Sequence, residues 1–211
     1  MVPTSEDPAL PRRSKSDVVD AAMTVLDEAG LPGLSMRRIA DVLDVQVSAL
    51  YWHFPNKQAL LAAVSSRIVG LETATPTGAV SGIDDLTAIA VALRERLLAH
   101  RDGAEVVSSS LALGLLDLAP RARLVEAALA AGLTDAAARL AADTLLHYVI
   151  GVTFHEQQRL HAAVVGAAHP AVDLSPARVT ASDADPSLPV DDVAGGIALI
   201  VSGIRATAAR A

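Results

Sequence analysis

In SKSDVVDAAMTVLDEAG, residues 14–30, the apolar side chains Val18, Ala21, Ala22, Val25 and Leu26 recur three and four positions apart. That spacing lines one face of a helix. Ser16 or Asp17 is its expected cap and Gly30 its terminator, and LPGL is expected to turn the chain. Ser35 then caps a short helix, MRRIADVLD, whose Ile39, Ala40 and Leu43 form a buried stripe while Arg37 and Arg38 occupy its exposed first turn. VQV makes a tight connection to a second short helix, SALYWHF. Pro55 closes it, because proline has no amide donor and restricts the residue before it. Asn56 to Leu71 reads as a longer amphipathic helix with Leu60, Leu61, Val64 and Ile68 facing inward. Two short helices joined by so brief a turn predict a helix-turn-helix.

Beyond this point the Thr, Pro, Gly and Ser content of residues 73–82 predicts a linker. Helices are expected at about 83–101, 104–116, 120–131, 134–163 and 190–209. Residues 166–189 hold four prolines without periodicity and read as a long loop. No internal repeat is visible. The chain thus divides into a flexible N-terminal arm over 1–13, a helix-turn-helix domain over 14–72 and a second helical domain over 83–211.

Composition supports an all-α fold. The apolar content of 52% is mostly Ala, Leu and Val, with 2% aromatic, a mix that favours helices over strands. There is no cysteine, hence no disulfide framework and no thiolate metal site, which fits a reducing cytoplasm. The polar, proline-broken N-terminus is not a signal peptide, and the uncharged run Val193 to Ile204 falls short of the ~18–20 residues that a membrane span needs. A cytoplasmic protein without a membrane partner is expected. The net charge of −7 argues against a nucleic-acid partner until the chain is split. Residues 1–72 hold seven Lys or Arg against nine acids, and residues 73–211 ten against fifteen. Any contact with DNA therefore depends on where the first domain's charges point.

The chain's one tryptophan lies within LYWHF, in a protein with hardly any other aromatics. At 100° per residue, the consecutive Tyr51, Trp52, His53 and Phe54 cannot all face one side. Leu50 and Phe54, four apart, suit the core, which leaves Tyr51 and His53 outward. A recognition helix points its N-terminal side chains at base edges, so Val47, Ser48 and Ala49 are placed to read sequence. They meet thymine methyls or form a single hydroxyl bond, whereas Arg37 offers a bidentate contact to guanine. Tyr51, His53, Lys57 and Ser35 suit phosphate oxygens.

The stretch GLSMRRIADVLDVQVSALYWHFPNKQALLAAV, residues 33–64, with the helix before it, resembles the tetracycline repressor (TetR) family of bacterial transcription regulators. The resemblance implies operator contact by Ser35, Arg37, Val47, Ser48, Ala49, Tyr51, His53 and Lys57, with Trp52 beside the backbone contacts and partly packed. It further implies a C-terminal helical domain that dimerises and encloses a small-molecule effector, so that binding of the ligand moves the DNA-reading heads apart. AHRDGAEV (99–106) and IGVTFHEQQRL (150–160) are similar to the tetracycline repressor subgroup in particular. Val107 and His155 stand where that subgroup places a histidine for a drug-bound magnesium ion and a glutamate. A mostly apolar effector is implied instead, with no metal and no cofactor. The candidate effector residues are His100, Val107, His147, Phe154, His155 and Gln158.

An enzyme reading finds no constellation. His155-Glu156 opens a zinc-protease pattern, but the position four after His155 is Arg159, and His161 lies on another face. His147 and His155 are eight residues apart, about 12 Å along a helix, too far to share an ion. His100 with Asp102 reads as a helix C-terminal cap. For a homodimer the expected surfaces are helix 134–163 and the last helix. There Ala194, Gly195, Ala198, Ser202 and Gly203 permit close approach, and Ile197, Ile200, Val201 and Ile204 bury apolar area, unless that helix is simply buried within one subunit. Two-fold symmetry would make the operator palindromic.

Overall fold

The computed structural model describes residues 13–70, 82–116, 119–166 and 192–210, and all regular structure among them is helical. The helices are α1 Lys15–Gly33, α2 Met36–Leu43, α3 Val47–Tyr51, α4 Lys57–Ile68, α5 Ile83–Leu98, α6 Gly103–Ala112, α7 Ala119–Ala130, α8 Asp135–Val164 and α9 Asp192–Ala208. The first four make a head and the last five a body. The expected arm, linker and long loop lie outside the described residues, except for Arg13, Gly82 and Gly166.

α1 begins before the expected cap. The Ser14 hydroxyl accepts the Asp17 amide at 3.1 Å, and the Asp17 carboxylate accepts the Ser14 amide at 2.7 Å. Asp17 thus serves as the third residue of a capping box and not as the cap, which moves the start to Ser14. Bonding to the Ser14 backbone and side chain holds the Asp17 carboxyl below its ordinary value. Gly30 breaks the helix at φ +70°, but one further helical turn follows before Leu34, so LPGL continues α1 at a kink. α3 is shorter than the expected SALYWHF, and Asn56 caps α4 through the Ala59 amide at 2.8 Å. The head's core forms around Leu26, Ile39, Leu50, Phe54, Leu60 and Val64, so Leu50 and Phe54 are inside as the spacing predicts.

In the body, α8 spans about 45 Å at 1.5 Å per residue and packs on α5, α6, α7 and α9. α5 stops at Leu98 and α6 at Ala112, both short of expectation. At α6 the reason is local: Leu115 and Gly114 donate back to Ser110 and Leu111, and Gly114 takes φ +66°, the geometry of a glycine-terminated helix end. α9 buries Val193, Ile197, Val201 and Ile204 within the subunit and leaves Leu199 exposed.

Head and body are joined at several places among the described residues. α4 lies on α6, where the fully buried Ser65 hydroxyl donates to Val106 O at 3.1 Å and pairs with the Ser110 hydroxyl at 2.9 Å. The kink of α1 docks on the α5–α6 corner. There Asp102 accepts the Leu31 amide at 2.8 Å, and Arg101 donates to Glu28 O at 3.2 Å. A Cβ on Gly30 would lie 2.6 Å from the Asp102 carboxylate, so glycine is needed there for space as well as for φ. The corner is held from behind by Gln157 of α8, whose amide nitrogen donates to Leu97 O and His100 O at 3.0 and 2.9 Å. Its amide oxygen accepts the Ala104 N–H at 3.1 Å.

Candidate nucleic-acid interface

The exposed side of the head follows from which residues the core consumes. α2 spends Met36, Ile39, Ala40 and Leu43 inward, which turns Arg37 and Arg38 outward at its first turn. Ser35 caps α2 by accepting the Arg38 amide at 3.2 Å, so its hydroxyl proton is still available to an acceptor outside. Asp44 then adopts the left-handed conformation at φ 53°, which turns the chain within three residues into α3. Burial of Leu50 fixes the rotation of α3, exposing Ser48, Ala49 and Tyr51 and leaving Val47 partly packed on the core. Trp52 is 90% exposed and His53 half-buried. An indole left in water at this level is not a core residue, so the expected partial packing of Trp52 gives way to full presentation on the surface.

The charges agree with that surface. Among the described residues, Arg37, Arg38 and Lys57 make no side-chain hydrogen bond or ion pair. Other basic groups of the head are engaged: Arg67 meets Asp20 at 2.5 Å, Arg13 donates to Leu43 O at 3.3 Å, and Lys15 lies 5.1 Å from the Phe54 ring centre. Arg37 and Arg38 lie on the helix before α3, and Lys57 opens the helix after it. Asp41 and Asp44 share a shallow concavity with Gln46, Ser48, Ala49 and Trp52. Carboxylates there repel phosphate but accept a cytosine amino group. Gln46 stands in the VQV connection, where neither periodicity nor a family motif marks it in the sequence. It is exposed at the amino end of α3 with its side chain unused in capping, and glutamine is a bidentate partner of adenine.

The six candidate effector residues do not gather. His100 Nδ1 sits 3.2 Å from the Asp27 carboxylate across the head–body joint. Asp102, expected to cap a helix C-terminus with it, instead precedes α6 at φ 54° and binds Leu31. Val107 is fully buried in α6, and His147 is exposed with Nδ1 2.7 Å from Asp143 O in its own helix. Phe154 meets His155 edge to face at 5.6 Å, with His155 exposed, and Gln158 donates to Glu105 at 3.0 Å. Positions 147 and 155 fall off the stripe through Ala142, Leu145, Leu146, Val149 and Thr153 that α8 buries. Of the six, His100 alone lines a described cleft, about 330 Å³ between the α5–α6 corner and the end of α8.

Comparison with known proteins agrees with this architecture in both halves. Residues 18–64 match the family described as "Bacterial regulatory proteins, tetR family", and residues 76–207 match "Tetracyclin repressor-like, C-terminal domain". The class D tetracycline repressor protein of Escherichia coli is 37% identical over 97 residues, 45% of this chain and 44% of that protein. The chain thus aligns with less than half the length of that curated relative. Among solved structures, BioQ of Mycobacterium smegmatis superimposes with a TM-score of 0.72 at 39% identity, covering 92% of this chain and 99% of that one. BioQ with its natural double-stranded DNA operator gives 0.71 at 37% identity, with the same coverage. Both halves of the chain being matched, in sequence and in fold, the protein belongs to the tetR family of bacterial regulatory proteins, a family of regulators and not of enzymes.

Proposed function

We propose that the protein is a homodimeric, ligand-responsive transcriptional repressor of the cytoplasm that binds a palindromic operator and is released by a small, mostly apolar effector. The observation that carries the reading is the fully presented Trp52 and exposed Tyr51 at the end of α3, with unpaired Arg37, Arg38 and Lys57 on the helices before and after it. On this reading Val47, Ser48 and Ala49 lie against base edges, and Arg37 and Gln46 supply the bonds those small side chains lack. Ser35, Tyr51, His53 and Lys57 hold phosphates, with Trp52 packed along the backbone. BioQ, 37% identical, has been seen on its own operator, and the same docking is assigned to this chain.

Dimerisation is supported by the outer faces of α8 and α9. Leu140 is 69% exposed and Leu199 59%, and together with Leu133, Ile200 and Ile204 they line an apolar groove of about 390 Å³. Side chains of this kind left in water favour a partner with the same face, and a two-fold axis between α8–α9 pairs sets two heads side by side. Gly203, where an added Cβ would meet open space, leaves room for a close crossing.

The test is a mobility-shift titration of a duplex carrying the gene's own upstream intergenic sequence. A shift at nanomolar to sub-micromolar protein, weakening steeply as salt rises, is expected from counterion release. Salt-insensitive binding, or none, overturns the reading.

A further inference from the structure

Where α4 ends, α5 passes and α7 begins, the protein forms a partly open cavity of about 60 Å³. α5 gives it Ile89, Ala92, Leu93 and Arg96, spaced as one helical face. α4 gives Val69 and Gly70, and α7 gives Ala119, Pro120 and Arg123. Among the described residues the wall is therefore apolar, with two guanidinium groups and no carboxylate. Arg94 is paired with Glu156 at 2.8 Å and Arg121 with Asp143 at 2.6 Å, whereas Arg123 has no hydrogen bond or ion pair among the described residues. Arg96 spends one nitrogen on Val69 O, the carbonyl just past the end of α4, at 2.5 Å. Its remaining donors have no partner among the described residues.

We propose that this cavity seats the effector and that the effector is a small amphipathic carboxylate. Its hydrocarbon lies against Val69, Ile89 and Leu93, and its carboxylate is held by Arg123 and Arg96. The inference rests on the ligand-responsive reading above and narrows the effector from mostly apolar to apolar with one anionic end. Guanidinium forks match a carboxylate in plane and in donor spacing, and partial exclusion of water strengthens the pairing. An apolar pocket with a few convergent polar groups is the usual form of a small-molecule site. At ~10–15 Å³ for each water-sized occupant, the space suits a chain of roughly four to six heavy atoms, with the carboxylate toward the opening.

The site also supplies a route to the head. A ligand shifts an equilibrium only through contacts that differ between the two states. Arg96 is such a contact, because the guanidinium that meets the ligand also caps the α4 end at Val69. Gly70, at φ +77°, has no room for a Cβ beside that guanidinium. A carboxylate that draws Arg96 toward Arg123 competes with the cap and frees the end of α4, whose first turn carries Lys57.

Isothermal titration calorimetry of the full chain against butyrate, pentanoate and hexanoate, with hexanamide, hexanol and inorganic phosphate as controls, tests the proposal. At least one carboxylate should bind tenfold or more tighter than both neutral compounds and phosphate. Arg123→Gln should bring that carboxylate to within about threefold of the amide, with Arg123→Lys in between. Because Arg123 makes no native bond, the Gln variant should melt with the parent. Ala92→Phe, at the exposed edge of the cavity, should block carboxylate and amide alike. Equal binding of carboxylate and amide, phosphate binding as tightly as the acids, no binding of any acid, or an unchanged Arg123→Gln each overturns it. The ligand-free mobility shift is read on the same preparation. Loss of that shift with carboxylate binding intact defeats the repressor reading alone, and the reverse outcome defeats the carboxylate alone.

Discussion

Asp102 offers the sharpest test of how the head is fastened to the body. The residue is 8% exposed, its carboxylate accepts the Leu31 amide at 2.8 Å, and its own backbone is left-handed at φ 54°. Asp102→Ala removes a charge-assisted acceptor and leaves the Leu31 amide unpaired in a partly buried site, at a cost of about 1.5–3 kcal/mol. Alanine tolerates the left-handed region less well than aspartate, which adds about 1 kcal/mol. Asp102→Asn keeps an oxygen in place and tolerates the same backbone, so it loses only the charge assistance, about 1 kcal/mol. The expected order is a loss of about 2.5–4 kcal/mol for Ala against ~1 kcal/mol for Asn. The assay is equilibrium urea unfolding followed by helical circular dichroism at fixed protein concentration. Operator affinity is measured beside it and should fall more for Ala. If Asn costs as much as Ala, or Ala costs less than ~1 kcal/mol, the Asp102–Leu31 bond is not what holds the joint.

Three other outcomes follow from the geometry. Trp52 is the chain's one tryptophan and is fully presented to solvent, so its fluorescence should change on adding operator duplex and stay constant with a scrambled duplex at moderate salt; an unresponsive Trp52 contradicts its place on the DNA face. Lys57→Ala should weaken all sequences alike and lower the salt slope by about one, while Arg37→Ala should relax preference at one base position; competition shifts over a panel of single-base variants separate the two. The bond from Arg121 holds the Asp143 carboxyl below its ordinary value. The folded form therefore keeps that charge to lower pH than the unfolded chain does, so the stabilisation is complete above the unfolded value of about 3.9 and disappears as pH falls through the folded value. Asp143→Asn should be less stable than the parent at neutral pH, and the difference should shrink as pH falls below about 3.9 in urea unfolding.

The sequence made the helix faces legible because burial repeats with the helical period. Ile39 and Leu43, or Leu50 and Phe54, can be assigned inward without knowledge of what they touch. The same logic assigned Tyr51 outward, and with it one edge of the candidate interface. It failed where a residue had two local roles to choose between. Asp17 is a good cap by type, yet three residues after a serine it does more as a box partner. It failed more widely where the partner is remote: His100 meets Asp27 and Asp102 meets Leu31 across more than seventy positions. No periodicity links those positions. His147 and His155 were drawn together as candidates by residue type, but side-chain direction on α8 sends both to solvent. Arg96 and Arg123 converge on one cavity only because α5 and α7 pack together.

Gln157 gives the corner between α5 and α6 a property that neither helix has by itself. A corner of this kind is ordinarily closed by its own residues, but here both of its ends are capped by one amide from α8, which must donate and accept at once. No carboxylate, ammonium or thioether has that double capacity. The corner cannot therefore open by local fraying while α8 stays in place, and α8 cannot detach without uncapping the corner on which α1 rests. Head docking and body folding are in this way parts of one cooperative unit. A helix with no residue in the candidate interface thus helps to hold the head in place on the body.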